Sequence, residues 1–131
     1  MARATTILLV DADHDLVKSA TLLLENEGYR VVTAQDGEEA LLKAHEGRPD
    51  LVILDILLPR RNGYQVCRAL KEDRALAALP VLFVSAKSQP SDRFWARRVG
   101  GDGFVAKPYD PADLLRDVKS LLQKTQQGAR A

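Results

Sequence analysis

The stretch Leu51-Val52-Ile53-Leu54-Asp55 decides the fold, because four apolar residues run directly into a carboxylate. A continuous apolar run of this length is typical of a strand that is buried on both faces, as strands of parallel sheets are. A carboxylate at the end of such a strand is costly to bury unless partners bind it. The stretch therefore predicts a central parallel strand with a polar site at its carboxyl end.

Three further apolar runs end in a polar residue in the same way. They are Ile7 to Val10 before Asp11, Val81 to Val84 before Ser85, and Phe104 to Ala106 before Lys107. In an open α/β sheet the carboxyl ends of the strands form the crevice where ligands bind. We therefore expect these three polar side chains to lie together with Asp55.

Amphipathic stretches alternate with the apolar runs five times along the chain. The predicted strands are residues 7–10, 29–33, 51–54, 81–84 and 103–106, and the predicted helices are 15–27, 36–46, 63–73, 91–99 and 111–122. This alternation predicts βαβ units with right-handed crossovers. The sequence thus predicts an α/β fold, a (βα)5 doubly wound parallel sheet, as one domain over residues 1–122, followed by a polar C-terminal tail at 123–131.

Length, charge and cysteine content narrow the classes of function. A chain of 131 residues can bury a normal core without disulfides or a structural metal. The net charge of +1 gives no argument for nucleic acid or an anionic membrane as a partner. Cys67 is the one cysteine, so we expect a packed thiol and a cytoplasmic location. The run from Ile7 to Val10 is too short for a signal peptide or a membrane span.

The polar residues at the strand ends fit phosphoryl chemistry. Clustered carboxylates raise each other's pKa unless a cation joins them, and hard oxygen ligands suit Mg²⁺. A nearby ammonium and a hydroxyl would complete a cradle for a phosphoryl group. An aspartate in such a cradle can accept the group without a general base.

From about Thr5 to Leu122 the chain resembles the receiver domain of two-component response regulators, the flavodoxin-like group that includes the chemotaxis regulator CheY. The resemblance is carried by Asp11, by Asp55-Ile56-Leu57-Leu58-Pro59 followed by Asn62-Gly63, by Val84-Ser85-Ala86 and by Phe104-Val105-Ala106-Lys107-Pro108. These motifs occur in this order, and each stands at the end of a predicted strand. The resemblance implies a flavodoxin-like sheet with the strand order 2-1-3-4-5.

The resemblance implies that Asp55 is the phosphoacceptor and that Asp11, Asp55 and the carbonyl of Leu57 bind Mg²⁺. The family has two adjacent acids after the first strand, but this chain has Ala12 at the second position. Asp13 has two interpretations, a replacement ligand or the N-cap of the first helix. Loss of even an outer-shell partner costs about 10–100-fold in metal affinity, so we expect weakened Mg²⁺ binding.

The remaining matches concern the response to phosphorylation. Ser85 matches the switch hydroxyl, and Lys107 matches the ammonium that pairs with the phosphoacceptor, with a Lys107-Pro108 bond of a kind that family members often hold cis. Phe104 matches the aromatic rotamer switch, and its alternative interpretation is a plain core aromatic. Phosphorylation would draw Ser85 to the new acceptor, turn Phe104 inward and remodel the face formed by helix 4, strand 5 and helix 5.

The resemblance implies a signalling switch rather than a turnover enzyme. It would take its phosphoryl group from a histidine kinase or a phosphotransfer protein and bind a downstream protein target, with no direct nucleic acid or membrane partner. The oligomeric state stays open, and dimerisation on activation is one possibility.

Two alternative functions remain open from the sequence. The first is a pseudo-receiver, a protein-binding module not controlled by Mg²⁺-dependent phosphorylation, which Ala12 favours. The second is a phosphatase of the haloacid-dehalogenase type, because Asp11-Ala12-Asp13 follows a strand. That group also has a downstream acidic pair and usually a longer chain, and neither is evident here.

Overall fold

Five parallel strands form one sheet in the order β2-β1-β3-β4-β5. The computed structural model describes the backbone of residues 4–130 and the side chains of residues 4–125. The elements are β1 (Thr6–Val10), α1 (His14–Asn26), β2 (Arg30–Ala34), α2 (Gly37–Gly47), β3 (Leu51–Leu54), α3 (Gly63–Glu72), β4 (Val81–Ser85), α4 (Pro90–Arg98), β5 (Gly103–Ala106) and α5 (Pro111–Arg130). The predicted α/β fold and its strand order are confirmed.

Both faces of the sheet are buried, which is why the central strands are apolar throughout. Alternate residues of β1 pack into two separate cores, Leu8 into one and Ile7 into the other. The first core contains apolar residues of α2, α3 and α4, and the second contains those of α1 and α5. Cys67 belongs to the first core and is fully buried, so the prediction of a packed thiol is confirmed.

The predicted boundaries agree with the structure to within one or two residues, except at the end of α5. That helix continues through Arg130, so the prediction that it ends at Leu122 is wrong. Beyond Leu122 the sequence has no apolar period from which a helix could be recognised. Gln, Lys, Ala and Arg nevertheless have high helix propensity, so a helix that has already formed can continue through them. Residue 131 lies outside the described residues.

The strand register brings four strand ends to one edge of the sheet. Val10 pairs with Leu54, Leu54 with Phe83, and Ser85 with Ala106. The residues that follow β1, β3 and β5, and the last residue of β4, therefore lie side by side. Within residues 4–130, no helix is both long enough and apolar enough to cross a membrane.

Candidate functional site

Lys107 joins the two aspartates that follow β1 and β3. Its ammonium donates to Asp11 Oδ2 at 2.6 Å and to Asp55 Oδ2 at 2.8 Å. The Ser85 hydroxyl donates to the other oxygen of Asp55, with Oγ 2.5 Å from Oδ1. The structure thus brings together the four polar residues that the strand pattern predicts at this edge.

The site is largely shielded from water, which strengthens its electrostatic interactions. The side chains of Asp11, Asp55 and Lys107 are 10%, 8% and 13% exposed. Burial lowers the pKa of Lys107, but its hydrogen bonds to Asp11 and Asp55 outweigh that effect and raise the pKa above its ordinary value. Two carboxylates share one ammonium, so one carboxylate charge is left without a side-chain cation of its own.

In both aspartates, the carboxylate oxygen that does not contact Lys107 accepts a hydrogen bond from a backbone N–H group. The N–H of Leu57 donates to Asp55 Oδ1 at 3.2 Å, and the N–H of Asp13 donates to Asp11 Oδ1 at 2.9 Å. In each case the donor lies two residues beyond the aspartate, in the turn that follows its strand. The Lys107-Pro108 peptide bond is cis, as the resemblance implies.

The contacts of Asp13 support the N-cap interpretation. Its Oδ1 accepts from the N–H groups of Asp15 at 3.0 Å and Leu16 at 3.2 Å, so Asp13 is the N-cap of α1. In the described part of the chain, no group of three or more His, Cys, Asp or Glu side chains could hold a metal ion. The donors that remain are two carboxylates and backbone carbonyls, a set that still fits Mg²⁺, which takes one or two protein carboxylates.

Phe104 lies between the core and the surface rather than deep in the core. Its half-buried ring stacks on Phe83 with centroids 6.3 Å apart. The guanidinium carbon of Arg93, in α4, lies over the same ring, 4.7 Å from its centroid. Phe104 therefore contacts both the sheet and α4, and its role as a rotamer switch stays a prediction.

A mostly apolar groove of about 570 Å³ opens beside Lys107, between α1 and the segment that joins β5 to α5. Its lining includes Leu16 and Leu23 of α1, together with Ala86 and Tyr109. Burial raises the pKa of the Tyr109 phenol, so this side chain is neutral at physiological pH. Lys107, whose ammonium binds Asp55, is one of the residues that line the groove.

A second polar network next to the site was missed from the sequence. The N–H of Lys87 lies 3.3 Å from Ser85 Oγ, and the Lys87 ammonium donates to Asp92 Oδ1 at 2.5 Å. Asp92 lies three residues after Gln89, the spacing at which an acidic side chain can bind the N–H of a helix N-cap. That spacing was the available signal, but it does not reveal that Asp92 is buried.

Comparison with known proteins places these features in a family. Residues 7–119 match the family model of the response regulator receiver domain. Protein PilH of Pseudomonas aeruginosa is 34% identical over 116 residues, which cover 88% of this chain and 96% of PilH. The alkaline phosphatase synthesis transcriptional regulatory protein PhoP of Bacillus subtilis is 37% identical over 120 residues, which cover 92% of this chain and 49% of PhoP. The chain thus spans about half the length of PhoP.

A solved structure agrees with both the fold and the family. The crystal structure of a CheY-like response regulator receiver domain protein from Methanospirillum hungatei has a TM-score of 0.90 and 27% sequence identity to this chain. The similarity covers 96% of this chain and 99% of that protein.

The doubly wound sheet with a polar site at its carboxyl edge defines a flavodoxin-like α/β domain. Within that class, the chain belongs to the response regulator receiver domain family of two-component signalling. Receiver domains generally bind Mg²⁺ near their phosphorylation site, and they interact with histidine kinases and downstream targets.

Proposed function

We propose that this receiver domain is a phosphorylation-dependent switch in which Asp55 accepts a phosphoryl group from a histidine kinase or a phosphotransfer protein. The observation that carries the proposal is the set of contacts around Asp55. One of its oxygens binds the Lys107 ammonium at 2.8 Å and the other binds the Ser85 hydroxyl at 2.5 Å. An ammonium and a hydroxyl are the groups that a transferred phosphoryl group needs for charge neutralisation and positioning.

The chemical step is a transfer between two nucleophiles. An Asp55 carboxylate oxygen attacks the phosphorus of a phosphohistidine, and an O–P bond forms as the N–P bond breaks. The histidine nitrogen keeps the electron pair of the broken bond. A carboxylate nucleophile needs no general base, which agrees with a site whose charged groups are two aspartates and one lysine.

Mg²⁺ would be held by Asp11, Asp55 and the backbone carbonyl of Leu57. When bound, it would neutralise negative charge on the phosphoryl oxygens. Ala12 leaves this set one carboxylate short of the family pattern, and Asp13 is engaged as a helix cap. We therefore propose a site that binds Mg²⁺ weakly and works best when the phosphoryl oxygens add their own ligands.

The phosphodonor would approach along the groove between α1 and the β5–α5 segment. This groove borders Lys107 and is mostly apolar, so a donor helix could bury hydrophobic surface there. The donor would dock through apolar contact while its phosphohistidine reached Asp55.

Because Cys67 is the single cysteine and is buried, a reducing cytoplasm suits the protein.

The output would pass through the face formed by α4, β5 and α5 to a downstream protein target. Ser85 already donates to unphosphorylated Asp55, so phosphorylation would redirect this hydroxyl to a phosphoryl oxygen rather than recruit it from a distance. The backbone shift needed for the new contact would reach Phe104 and Arg93 at that face. The domain acts as a signalling switch rather than as a turnover enzyme.

Acetyl phosphate provides the test of this function. Incubation of the full chain with acetyl phosphate and Mg²⁺ should add one phosphoryl mass, and peptide mapping after borohydride reduction should place it on Asp55. Asp55→Asn should remove the adduct while the protein stays folded by circular dichroism. An adduct confined to another residue would overturn the proposal.

A pseudo-receiver is the second candidate, because Ala12 stands where the family has its second acid and Asp13, the possible replacement, caps α1. Under this alternative no adduct forms at saturating acetyl phosphate and Mg²⁺. An adduct that forms only in Ala12→Asp would show that the fold is competent and that this single position disables it. Continuous release of phosphate that depends on Asp11 and persists in Asp55→Asn would instead indicate a phosphatase.

A further inference from the structure

Asp92 is the one buried carboxylate, among the residues that the structure describes, that lies outside the Asp11 and Asp55 pair. It lies in the first turn of α4, and the residue is 5% exposed. Burying a carboxylate is unfavourable unless several partners compensate it, so its contacts indicate what it does.

The partners of Asp92 come from the β4–α4 loop, residues 86–89, and from α3. Its Oδ1 accepts from the Lys87 ammonium at 2.5 Å, and its Oδ2 accepts from the N–H of Gln89 at 3.0 Å. The Tyr64 hydroxyl, from α3, lies 3.2 Å from the Asp92 carbonyl oxygen and 3.4 Å from Oδ1, so it can donate to either. The hydrogen bond from Lys87 lowers the pKa of Asp92 and raises the pKa of Lys87, which keeps both groups charged at neutral pH.

Lys87 connects this network to the phosphoacceptor. It lies two residues after Ser85, and its N–H lies 3.3 Å from the same Ser85 oxygen that donates to Asp55. The β4–α4 loop is therefore held at one end by Asp55, through Ser85, and at the other end by Asp92. A shift of the loop towards a new acceptor on Asp55 would therefore move the Lys87 backbone and act on the Lys87–Asp92 pair.

Tyr64 anchors the network to the core. Its ring packs 6.1 Å from the ring of Phe83 in the core, and Phe83 in turn stacks on Phe104. Helix capping alone would require only the contact of Asp92 with the Gln89 N–H. The two additional donors are the Lys87 ammonium, from the loop, and the Tyr64 hydroxyl, from α3. Through them Asp92 connects α4 to both the loop and α3.

We propose that Asp92 is a positioning residue that couples the β4–α4 loop, and with it Ser85, to helix α4. The inference rests on the proposed phosphorylation of Asp55 and adds the path by which the site reaches α4. The Lys87–Asp92 pair transmits the movement of the loop, while Tyr64 holds the carboxylate in place. Loss of the charge on Asp92 would leave Asp55 competent but disconnect it from α4.

Beryllofluoride mimics a phosphoryl group on aspartate. It therefore allows adduct formation at Asp55 and the response of α4 to be measured separately. In the ¹⁵N-labelled full chain, ¹⁹F NMR reports the adduct on Asp55, and the amide shifts of Phe94 to Arg98 report the response of α4. Asp92→Asn keeps the shape of the side chain and an acceptor for the Gln89 N–H, but it loses the charge that holds Lys87. We expect the adduct to form in this variant and the α4 response to fall about fivefold or more, within the usual range of coupling between sites.

Companion variants distinguish coupling from simple damage. Lys87→Met should reproduce the effect of Asp92→Asn, and the double variant should be no worse than either single variant, because both break the same pair. Lys87→Arg keeps a cation for Asp92, so this variant should retain most of the α4 response. Glu72→Gln is the matched control, because Glu72 also carries a carboxylate paired with a cation, Arg68 at 3.8 Å, but on the exposed surface of α3.

The outcomes are distinguishable. An Asp92→Asn variant that forms the adduct and shifts α4 as the wild type does would overturn the coupling, as would a wild-type adduct that leaves α4 unchanged. Absence of an adduct on the wild-type chain would instead reject the proposed function, and the coupling with it. Should Asp92→Asn fail to fold, Tyr64→Phe keeps the ring packing and removes only the hydroxyl, and the same loss of α4 response is expected.

Discussion

At the scale of single residues, the two aspartates of the site differ in how their oxygens are held. Asp55 has one oxygen on Lys107 and the other on both the Ser85 hydroxyl and the Leu57 N–H. Asp11 has one oxygen on Lys107 and the other on a single backbone N–H. Asp55 is therefore the more firmly oriented of the two, which suits the nucleophile role proposed for it, and Asp11 has more free acceptor capacity for a cation.

If the proposed Mg²⁺ site is correct, Ala12→Asp should supply the second acid that the family pattern has after β1. The new carboxylate would follow Asp11 directly, and it should tighten Mg²⁺ binding by about 10–100-fold, the usual effect of regaining one partner of a metal site. Isothermal titration with Mg²⁺ measures the affinity. Ala12→Asn is the matched control, because it adds the same volume without charge and should bind far more weakly. Equal affinity in the wild type and Ala12→Asp would show that Ala12 does not limit the metal site.

Cys67 should be unreactive in the folded protein. Burial raises the pKa of its thiol from 9.0 to about 12. Because the thiolate is the reactive form, a shift of this size leaves about a thousandfold less thiolate at pH 8 than in the unfolded chain. Labelling with Ellman's reagent should therefore be slow in buffer and fast in concentrated urea. The raised pKa also predicts a pH dependence of stability. Burial of the neutral Cys67 thiol stabilises the fold fully below pH 9, and this stabilisation is lost as the pH rises towards 12, because the unfolded thiol ionises first. Rapid labelling of the folded chain would contradict the burial.

At the scale of helices and strands, the sequence predicts what depends on apolar periodicity. The bounds of β3 and β5 match the predicted strands 51–54 and 103–106, and polar residues follow both strands at the shared edge of the sheet. The convergence of Asp11, Asp55 and Lys107 follows from parallel strand order alone. The extension of α5 could not be predicted, because residues 123–130 have no apolar periodicity that would mark a helix in the sequence.

The network around Asp92 could not be predicted either, for a different reason. Among the neighbouring arginines of α4, an aspartate in the first turn of a helix is most simply explained as an exposed group that favours the positive end of the helix dipole. Its burial depends on Tyr64, which is 28 residues away in the sequence. Tertiary contacts of this kind leave no local pattern.

Gly63 allows α3 to start against the backbone of Asp55. A Cβ at this position would overlap the carbonyl group of Asp55 and the Cα of Ile56, neither of which can move without shifting β3. We expect Gly63→Ala to reduce the free energy of unfolding in urea by about 1–3 kcal/mol, the usual cost of overpacking. Gly47→Ala is the control, because a Cβ there meets no atom within 4 Å and should stabilise α2 slightly. Equal effects of the two substitutions would show that the close approach at Gly63 is unimportant.

At the scale of the whole molecule, the ion pairs of the site also connect distant parts of the chain. Lys107 is joined to residues 96 and 52 positions earlier in the chain, at the ends of β1 and β3. Lys107→Met would leave two buried carboxylates without their cation, and removal of one partner of a buried ion pair costs about 3 kcal/mol or more. We expect a loss of this size in the free energy of unfolding in urea. Lys119→Met is the control, because Lys119 joins α5 to α1 through Glu27 at 3.2 Å on the exposed surface, where a pair contributes at most about 1 kcal/mol. Adding Asp11→Asn to Lys107→Met should recover part of the loss, because it removes one of the two uncompensated charges. If Lys107→Met unfolds no more easily than Lys119→Met, the ammonium serves the chemistry of the site alone and the fold does not depend on it.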